Sequence, residues 1–375
     1  MYNYLYVDCY EKRSKIMHYE DNFFTYLKWR GDLSIKEHPF NEIDALILSE
    51  LAYIHFENIV PYVGQDGCIT IREANAKYEK STEREMLFYK EKEELFDALA
   101  FSSRFADMTL CNYVSMTDEK AQQQFAAVHV NVAPNFTFIA FRGTDSTVVG
   151  WREDLNMSFM MPVPAQKSAV EYVDMTAKGL FKKYSIGGHS KGGNLAVYSG
   201  AFCNPKVQKK IVQIYNFDGP GFNRKMINDE AYKRVESRIQ TFVPEQSIVG
   251  LLMEHEEDYK VVDSTEFAIL QHEGFSWVID RDRFVLVDDV DKFSKNFSVT
   301  LKAWLADMNA TERKAVVDAF FDVFVNAGIN DFMEIVDIDM KKAGRLIKEV
   351  AKVPAEQRDK VMKLMKLLIE ESTKK

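Results

Sequence analysis

The sequence predicts an α/β chain with a mostly parallel central sheet, helices on both faces and an additional helical layer at its C-terminal end. Three observations carry this prediction. β-rich runs alternate with helical segments through the middle of the chain; the run leading into Gly187 is short and apolar, as in strands buried on both faces; and strand signals stop near residue 290. With 375 residues and 46% hydrophobic content, the chain can bury a large core. The expected organisation is an α/β domain over residues 1–290, with an N-terminal helical extension, and a helical layer over 291–375 packed on it.

Taken in order, Asn41 is a plausible N-cap, and Ile43, Leu46, Ile47, Leu51 and Ile54 recur at helical spacing, which predicts a helix over 41–58. Thr82 and Glu85 have capping-box spacing ahead of a charged helix running toward Ala100, most of whose charges read as a solvated face. Phe125–Val132 and Phe136–Phe141 flank the turn Ala133-Pro134-Asn135 and predict a hairpin. After Pro162 and Pro164, a helix is expected with Val170, Val173, Ala177, Leu180 and Phe181 on one face. Strands follow at Tyr184–Gly187, Ile211–Phe217, Arg238–Val243, Lys260–Asp263 and Arg283–Val287, while Ser247–His255 looks helical. In the final segment Val361, Leu364, Met365 and Leu368 form one stripe beside lysines. Docking onto neighbouring helices is the expected role, and a membrane-surface helix is the alternative.

A formal net charge of -9 argues against binding a phosphate backbone. Met1–Tyr10 lack the features of a secretory signal and no later run has the length of a membrane-spanning helix, so a soluble, cytoplasmic protein is expected. Cys9, Cys68, Cys111 and Cys203 are scattered, without a C-x-x-C pair, which suits a reducing compartment and buried, inert thiols. Neither a metal site nor a cofactor site is expected, since the ligand spacings, the P-loop and the dinucleotide fingerprint are all missing.

The segment Gly187-Gly188-His189-Ser190-Lys191-Gly192-Gly193 carries the chemistry. It contains G-x-S-x-G between a short strand and a helix, the context of a nucleophile elbow, in which a serine is held in a strained turn at a helix N-terminus. Small residues are needed at 188 and 192 because side chains there would collide across so sharp a turn. Ser190 is therefore the expected nucleophile. Acyl transfer also needs two N–H donors for the developing oxyanion, one from the residue after the nucleophile and one from an earlier strand end. Lys191 and Thr144, in Phe141-Arg142-Gly143-Thr144-Asp145, are the natural suppliers, with Arg142 and Asp145 bracing that loop through polar partners such as Asp154.

Phe141-Arg142-Gly143-Thr144, Trp151 with Asp154-Leu155, and Gly188-His189-Ser190-Lys191-Gly192-Gly193 resemble the class 3 lipases over the middle third of the chain. Over nearly its full length the chain looks like a bacterial family of lipase-like domains to which no function is assigned. The residues behind that likeness are Tyr26-Leu27-Lys28-Trp29-Arg30-Gly31-Asp32-Leu33-Ser34, Asn216-Phe217-Asp218-Gly219-Pro220-Gly221, Val243-Pro244-Glu245-Gln246-Ser247-Ile248-Val249-Gly250 and Gln271-His272. The resemblance implies an α/β-hydrolase fold and a hydrolytic mechanism; it implies no substrate.

In the hydrolase order of nucleophile, acid, histidine, only His255 and His272 follow Ser190. His255 precedes a strand and His272 lies in the loop after the last core strand, so His272 is the expected base. The orienting acid is expected at Glu245, after the seventh strand, with Asp218, after the sixth, as the alternative; Glu245-Gln246 departs from the aspartate of the class 3 lipases. The expected activity is cleavage of carboxylic esters of small molecules or lipids. The alternatives are a retired hydrolase scaffold that works by binding, and an acyltransferase or thioesterase using the same residues.

Overall fold

The computed structural model describes residues 22–80, 89–118, 123–144, 152, 156–157, 161–255, 257–329 and 340–372. The first helices begin where the sequence supplies a cap. Asn22 accepts from the Phe24 N–H ahead of α1 (Phe23–Arg30), and Asn41 forms a reciprocal capping box with Asp44 on α2 (Glu42–Leu51). α2 stops short of residue 58 because the Tyr53 and Ile54 N–H groups bond to Glu50 and Leu51 and turn the chain. Asp44 is fully buried; it pairs with Arg104 at 2.5 Å and accepts from the Tyr26 hydroxyl at 2.8 Å, tying α1 and α2 to the segment after α4. α3 (Ile71–Lys77) and α4 (Tyr89–Phe101) complete this layer. Thr82 and Glu85 lie outside the described residues. Not all of the α4 charges are solvated: Lys92 and Glu93 are 3% and 7% exposed.

Among the described residues one sheet holds nine strands in the order β1 (Ile69–Thr70), β2 (Thr109–Asp118), β3 (Gln123–Ala133), β4 (Phe136–Phe141), β5 (Lys183–His189), β6 (Ile211–Phe217), β7 (Ile239–Pro244), β8 (Tyr259–Val262) and β11 (Leu286–Val287). β4 through β8 are parallel; β1 through β4 are joined antiparallel, as are β8 and β11. β9 (Ile279–Asp280) and β10 (Arg283–Phe284) form a separate ribbon, so the run expected over 283–287 divides at Val285. β2 has no counterpart in the sequence reading because a register shift between Cys111 and Val114 breaks its alternation. Ser247–His255, expected as a helix, is a succession of turns.

Strand periodicity sends alternate side chains to opposite faces. Phe138 and Ala140 of β4 join Leu46, Ile47 and Leu95 beneath the N-terminal helices, whereas Ile139 and Phe141 pack against α5 (Pro164–Thr176) and α6 (Lys191–Phe202). α5 ends at Thr176, which leaves Leu180 and Phe181 beyond it and 83% and 80% exposed instead of on its buried face. Cys111 and Cys203 are buried, as a packing role requires, but Cys68 is exposed; Cys9 lies outside the described residues.

Beyond Val290 come α7 (Lys292–Ala306), α8 (Ala310–Asn326), α9 (Met340–Lys352) and α10 (Ala355–Ser372). Phe297, Trp304, Phe320, Phe324, Val361 and Leu364 share one apolar cluster that Ile248 enters from the loop after β7. The Val361 and Leu364 stripe thus docks on helices. Two polar ties reinforce the junction: the Ser298 hydroxyl donates to Leu251 O at 2.8 Å, and the Arg152 guanidinium spans Asp318 and Asp322 at 2.6 and 3.2 Å. Among the described residues no helix is long and apolar enough to cross a membrane.

Candidate active site

Ser190 joins β5 to α6 with φ 57° and ψ -134°, a conformation that costs a non-glycine residue about 1–3 kcal/mol. The surroundings hold it there. Its N–H donates to Phe217 O at 2.8 Å and its carbonyl accepts from the Gly193 N–H at 2.9 Å. A Cβ at Gly188 would lie 2.4 Å from the Gly192 backbone, and one at Gly192 would lie 2.2 Å from Phe141 O, so only hydrogen fits at either position. Ser190 is 5% exposed and sits at the N-terminus of a twelve-residue helix, whose positive dipole end favours negative charge developing beside it.

Histidine and acid come from the neighbouring strand ends. His272 closes a 3-10 turn (Ala268–His272) in the loop between β8 and β9, and its Nδ1 lies 2.6 Å from Asp218 Oδ2. Asp218 is completely buried, with φ 51°, and its N–H is anchored on Phe242 O at 2.8 Å. Its second oxygen accepts from the Ser247 hydroxyl at 2.5 Å and from the Gly250 N–H at 3.1 Å. A carboxylate with one oxygen saturated by donors and the other facing Nδ1 keeps the imidazole proton on Nδ1, leaving Nε2 able to accept.

The carboxylate that meets His272 is therefore that of Asp218, after the sixth strand, and not the favoured Glu245. The reason is where the loops return. The Glu245 N–H bonds Val262 O at 3.1 Å and its carbonyl accepts from Asp291, so the chain at 245 continues the β7 edge toward β8. Its neighbour Gln246 reaches the histidine loop through the Gln271 side chain at 2.7 Å. His255, the other histidine after Ser190, is held elsewhere, between Glu257 at 3.1 Å and Gly250 O at 2.6 Å.

Lys191 follows the serine directly, and Thr144 lies just beyond the end of β4, the strand paired with β5. A Cβ on Gly143 would lie 3.1 Å from Ser190 Cβ, which places the residue before Thr144 against Ser190. Lys191 is fully buried, and its ammonium donates to Gln124 O at 3.2 Å. Arg142 is buried; Asp145 and Asp154 lie outside the described residues.

A buried polar layer beneath the site was not anticipated from sequence. His189 Nε2–H donates to the His272 carbonyl at 2.6 Å, the two rings lie 4.6 Å apart, and the Tyr53 hydroxyl meets His189 Nδ1 at 3.1 Å. Burial, helped by the proximity of His272, depresses the His189 pKa to about 3, so the ring is neutral. Lys92 bridges Glu50 at 3.3 Å and Glu273 at 3.1 Å, pinning the residue after His272. The signal in the sequence was Glu50 at the end of the apolar run Ala45–Leu48 in α2, beside Leu51. On the other side, Asn194 donates to the Pro220 and Gly221 carbonyls at 2.9 and 3.1 Å and accepts from Gln166 at 2.8 Å, fixing the loop that carries Asp218 to α6. Among the described residues no group of three or more potential ligands could hold a metal ion.

No curated protein sequence matches the chain. Among solved structures it is similar to the Rhizomucor miehei lipase in its propeptide complex (17% identity, TM-score 0.32, covering 46% of this chain and 59% of that one). It is also similar to a fungal lipase in an inhibitor complex (14%, 0.31, 46% and 70%) and to M37 lipase (13%, 0.35, 56% and 70%). The chain thus spans less than two thirds of the Rhizomucor miehei chain. The parallel block, the strained serine between β5 and α6, and the carboxylate and histidine that follow it in chain order are those of an α/β-hydrolase fold. A family model described as Mbeg1-like matches residues 99–322, more than half of the chain, and the protein belongs to this lipase-like Mbeg1-like family.

Proposed function

We propose that the protein is a serine hydrolase that cleaves carboxylic esters of small molecules or lipids through an acyl-enzyme on Ser190. The observation that carries this reading is the strained Ser190 at a helix N-terminus, with His272 and the buried Asp218 paired at 2.6 Å on the adjoining loops. In this mechanism Ser190 Oγ attacks the acyl carbon while its proton passes to His272 Nε2, and Asp218 stabilises the imidazolium. The oxyanion is received by the backbone N–H groups of Thr144 and Lys191. Collapse expels the alcohol, which takes the proton from Nε2; water then repeats the sequence and frees the serine. No cofactor is required. The buried free thiols of Cys111 and Cys203 support action in a reducing, cytoplasmic setting.

The test is labelling with a fluorophosphonate probe together with turnover of p-nitrophenyl esters. Wild type is expected to label at Ser190 and Ser190→Ala not at all, with short to medium acyl esters cleaved in preference to charged amides. An unlabelled wild type would instead identify a retired scaffold. Labelling with acyl transfer to an added alcohol or thiol, but without hydrolysis, would identify an acyltransferase.

A further inference from the structure

Outside the residues that meet substrate in the proposed reaction lies a second buried histidine and carboxylate. His255 and Glu257 have side chains 6% and 3% exposed. Glu257 Oε1 accepts from Thr241 at 2.6 Å and faces His255 Nδ1 at 3.1 Å, and Oε2 accepts from the Tyr232 hydroxyl at 2.5 Å. On the far side of the ring, Nε2 lies 2.6 Å from the carbonyl of Gly250. A carbonyl cannot donate. The carboxylate is held ionised, since His255 and two hydroxyls outweigh the opposing effect of burial and keep its pKa at about 2. Nε2 therefore carries hydrogen and donates to Gly250, while Nδ1 lies against the carboxylate.

A buried histidine and carboxylate are weak evidence of stability, because desolvation offsets much of their attraction; their value lies in fixing geometry. Here the geometry leads to the acid. The peptide that His255 grips by its carbonyl is that of Gly250, whose own N–H donates to Asp218 Oδ1. Gly250 packs so closely on Asp218 that no side chain fits, for a Cβ there would lie 2.2 Å from that same oxygen. Backbone bonds between Phe222 and Glu254, at 2.8 and 3.0 Å, anchor the other end of the loop, and the outward charge of Glu254 is met by Lys302 at 3.6 Å.

We propose that the His255–Glu257 pair is a positioning device for the orienting acid: by clamping the Gly250 peptide it delivers the Gly250 N–H to Asp218 Oδ1 and so holds Oδ2 on His272. The proposal rests on the reading of Asp218 and His272 as catalytic partners. It predicts that disturbing His255 alters the Asp218–His272 hydrogen bond at a distance, beyond any effect on folding.

The experiment uses the full chain and two variants. In His255→Gln one amide cannot donate to acceptors on opposite sides of the former ring; Thr241→Val is near-isosteric and removes one donor to Glu257 along with the long 3.5 Å contact from Asn216. Proton NMR of wild type is expected to show a downfield resonance for His272 Nδ1–H, assigned by its loss in Asp218→Asn. His255→Gln should move or broaden that resonance, lower kcat about tenfold with KM within twofold, and shift the acid limb of the kcat/KM profile to lower pH, because a misplaced carboxylate stabilises the imidazolium less. Thr241→Val should shift the same observables in the same direction, by two- to threefold in kcat. If His255→Gln fails to fold, the Thr241→Val spectrum decides. A lower melting temperature with resonance and pH limb unmoved would overturn the proposal, leaving a structural pair. The resonance is read without turnover, so an inactive wild type would count against the hydrolase reading and not against this one.

Discussion

Changing Asp218 to Asn exchanges one oxygen for NH2 in a site whose donors dictate which way the amide lies. Oδ1 accepts from Ser247 at 2.5 Å and from the Gly250 N–H at 3.1 Å. Gly250 can only donate, so an amide turned with NH2 toward it would leave a buried N–H unsatisfied, a penalty of about 1–3 kcal/mol. The oxygen therefore stays on that side and the NH2 faces His272 Nδ1, where the carboxylate now sits at 2.6 Å. Nδ1 must then accept, the ring proton moves to Nε2, and the base can no longer take the Ser190 proton. The same exchange in a serine hydrolase triad lowers kcat about 10⁴-fold, or about 5.4 kcal/mol of transition-state stabilisation. The assay is kcat on p-nitrophenyl butyrate, with thermal melts to show that the variant is folded. Glu245→Gln, the control, should stay within about threefold of wild type, since its carboxylate is not the one on His272. If folded Asp218→Asn kept more than about a tenth of wild-type kcat, or Glu245→Gln lost as much, the assignment of the acid would be refuted.

Ser190→Gly should abolish turnover yet raise stability by about 1 kcal/mol, because release of a strained φ exceeds the entropic cost of glycine; a melting temperature about two degrees higher is the expected reading, and a lower one would contradict the strain. His129 and His189 are both held at a pKa of about 3, chiefly by burial, against about 6.5 when unfolded, so the unfolded chain binds their protons first. Stability from these groups is complete above pH 6.5 and falls as the pH drops from 6.5 toward 3, by up to about 1.4 kcal/mol per pH unit for each; urea unfolding at pH 7.5, 6 and 5 measures it, and equal stabilities at the three values would refute it. Glu57, held near 2 by His55 and Tyr113 against the opposing effect of burial, adds its loss only below about pH 4.5. Lys92→Met strands the fully buried Glu50 carboxylate and should cost about 3–5 kcal/mol, most of it recovered in the Lys92→Met, Glu50→Gln double variant; an additive double variant would show that the pair is not coupled.

What was legible in the sequence was what is local. The elbow announces itself in seven consecutive residues, because the strain, the glycines that permit it and the helix that follows are all neighbours in the chain. Strands β3 to β8 were legible for the same reason, each carrying its own apolar run. Which carboxylate meets His272 was not legible, because Asp218 and Glu245 are equivalent chemically and the choice is made by where the loop after β8 returns, a contact between residues 54 positions apart. Asp218-Gly219-Pro220-Gly221 also reads as a turn in its own right, and the turn is part of how the acid is presented. Lys92 and Glu93 were hidden by a different ambiguity: on a helix rich in charge nothing local marks which ones a second helix and the histidine loop will cover.

The order of strands across the sheet has a consequence in time. From β1 to β8 each strand lies beside its predecessor, so a chain leaving the ribosome extends the sheet at one growing edge and never inserts a strand between two already paired. Ser190 emerges 82 positions ahead of His272, an interval of about 4–16 s at ordinary rates of synthesis. During that interval the serine has its strained turn and its helix but not His272, the base of the proposed reaction. In the proposed reaction, competence arrives only with the loop beyond β8, after most of the sheet that must support the site has already been made.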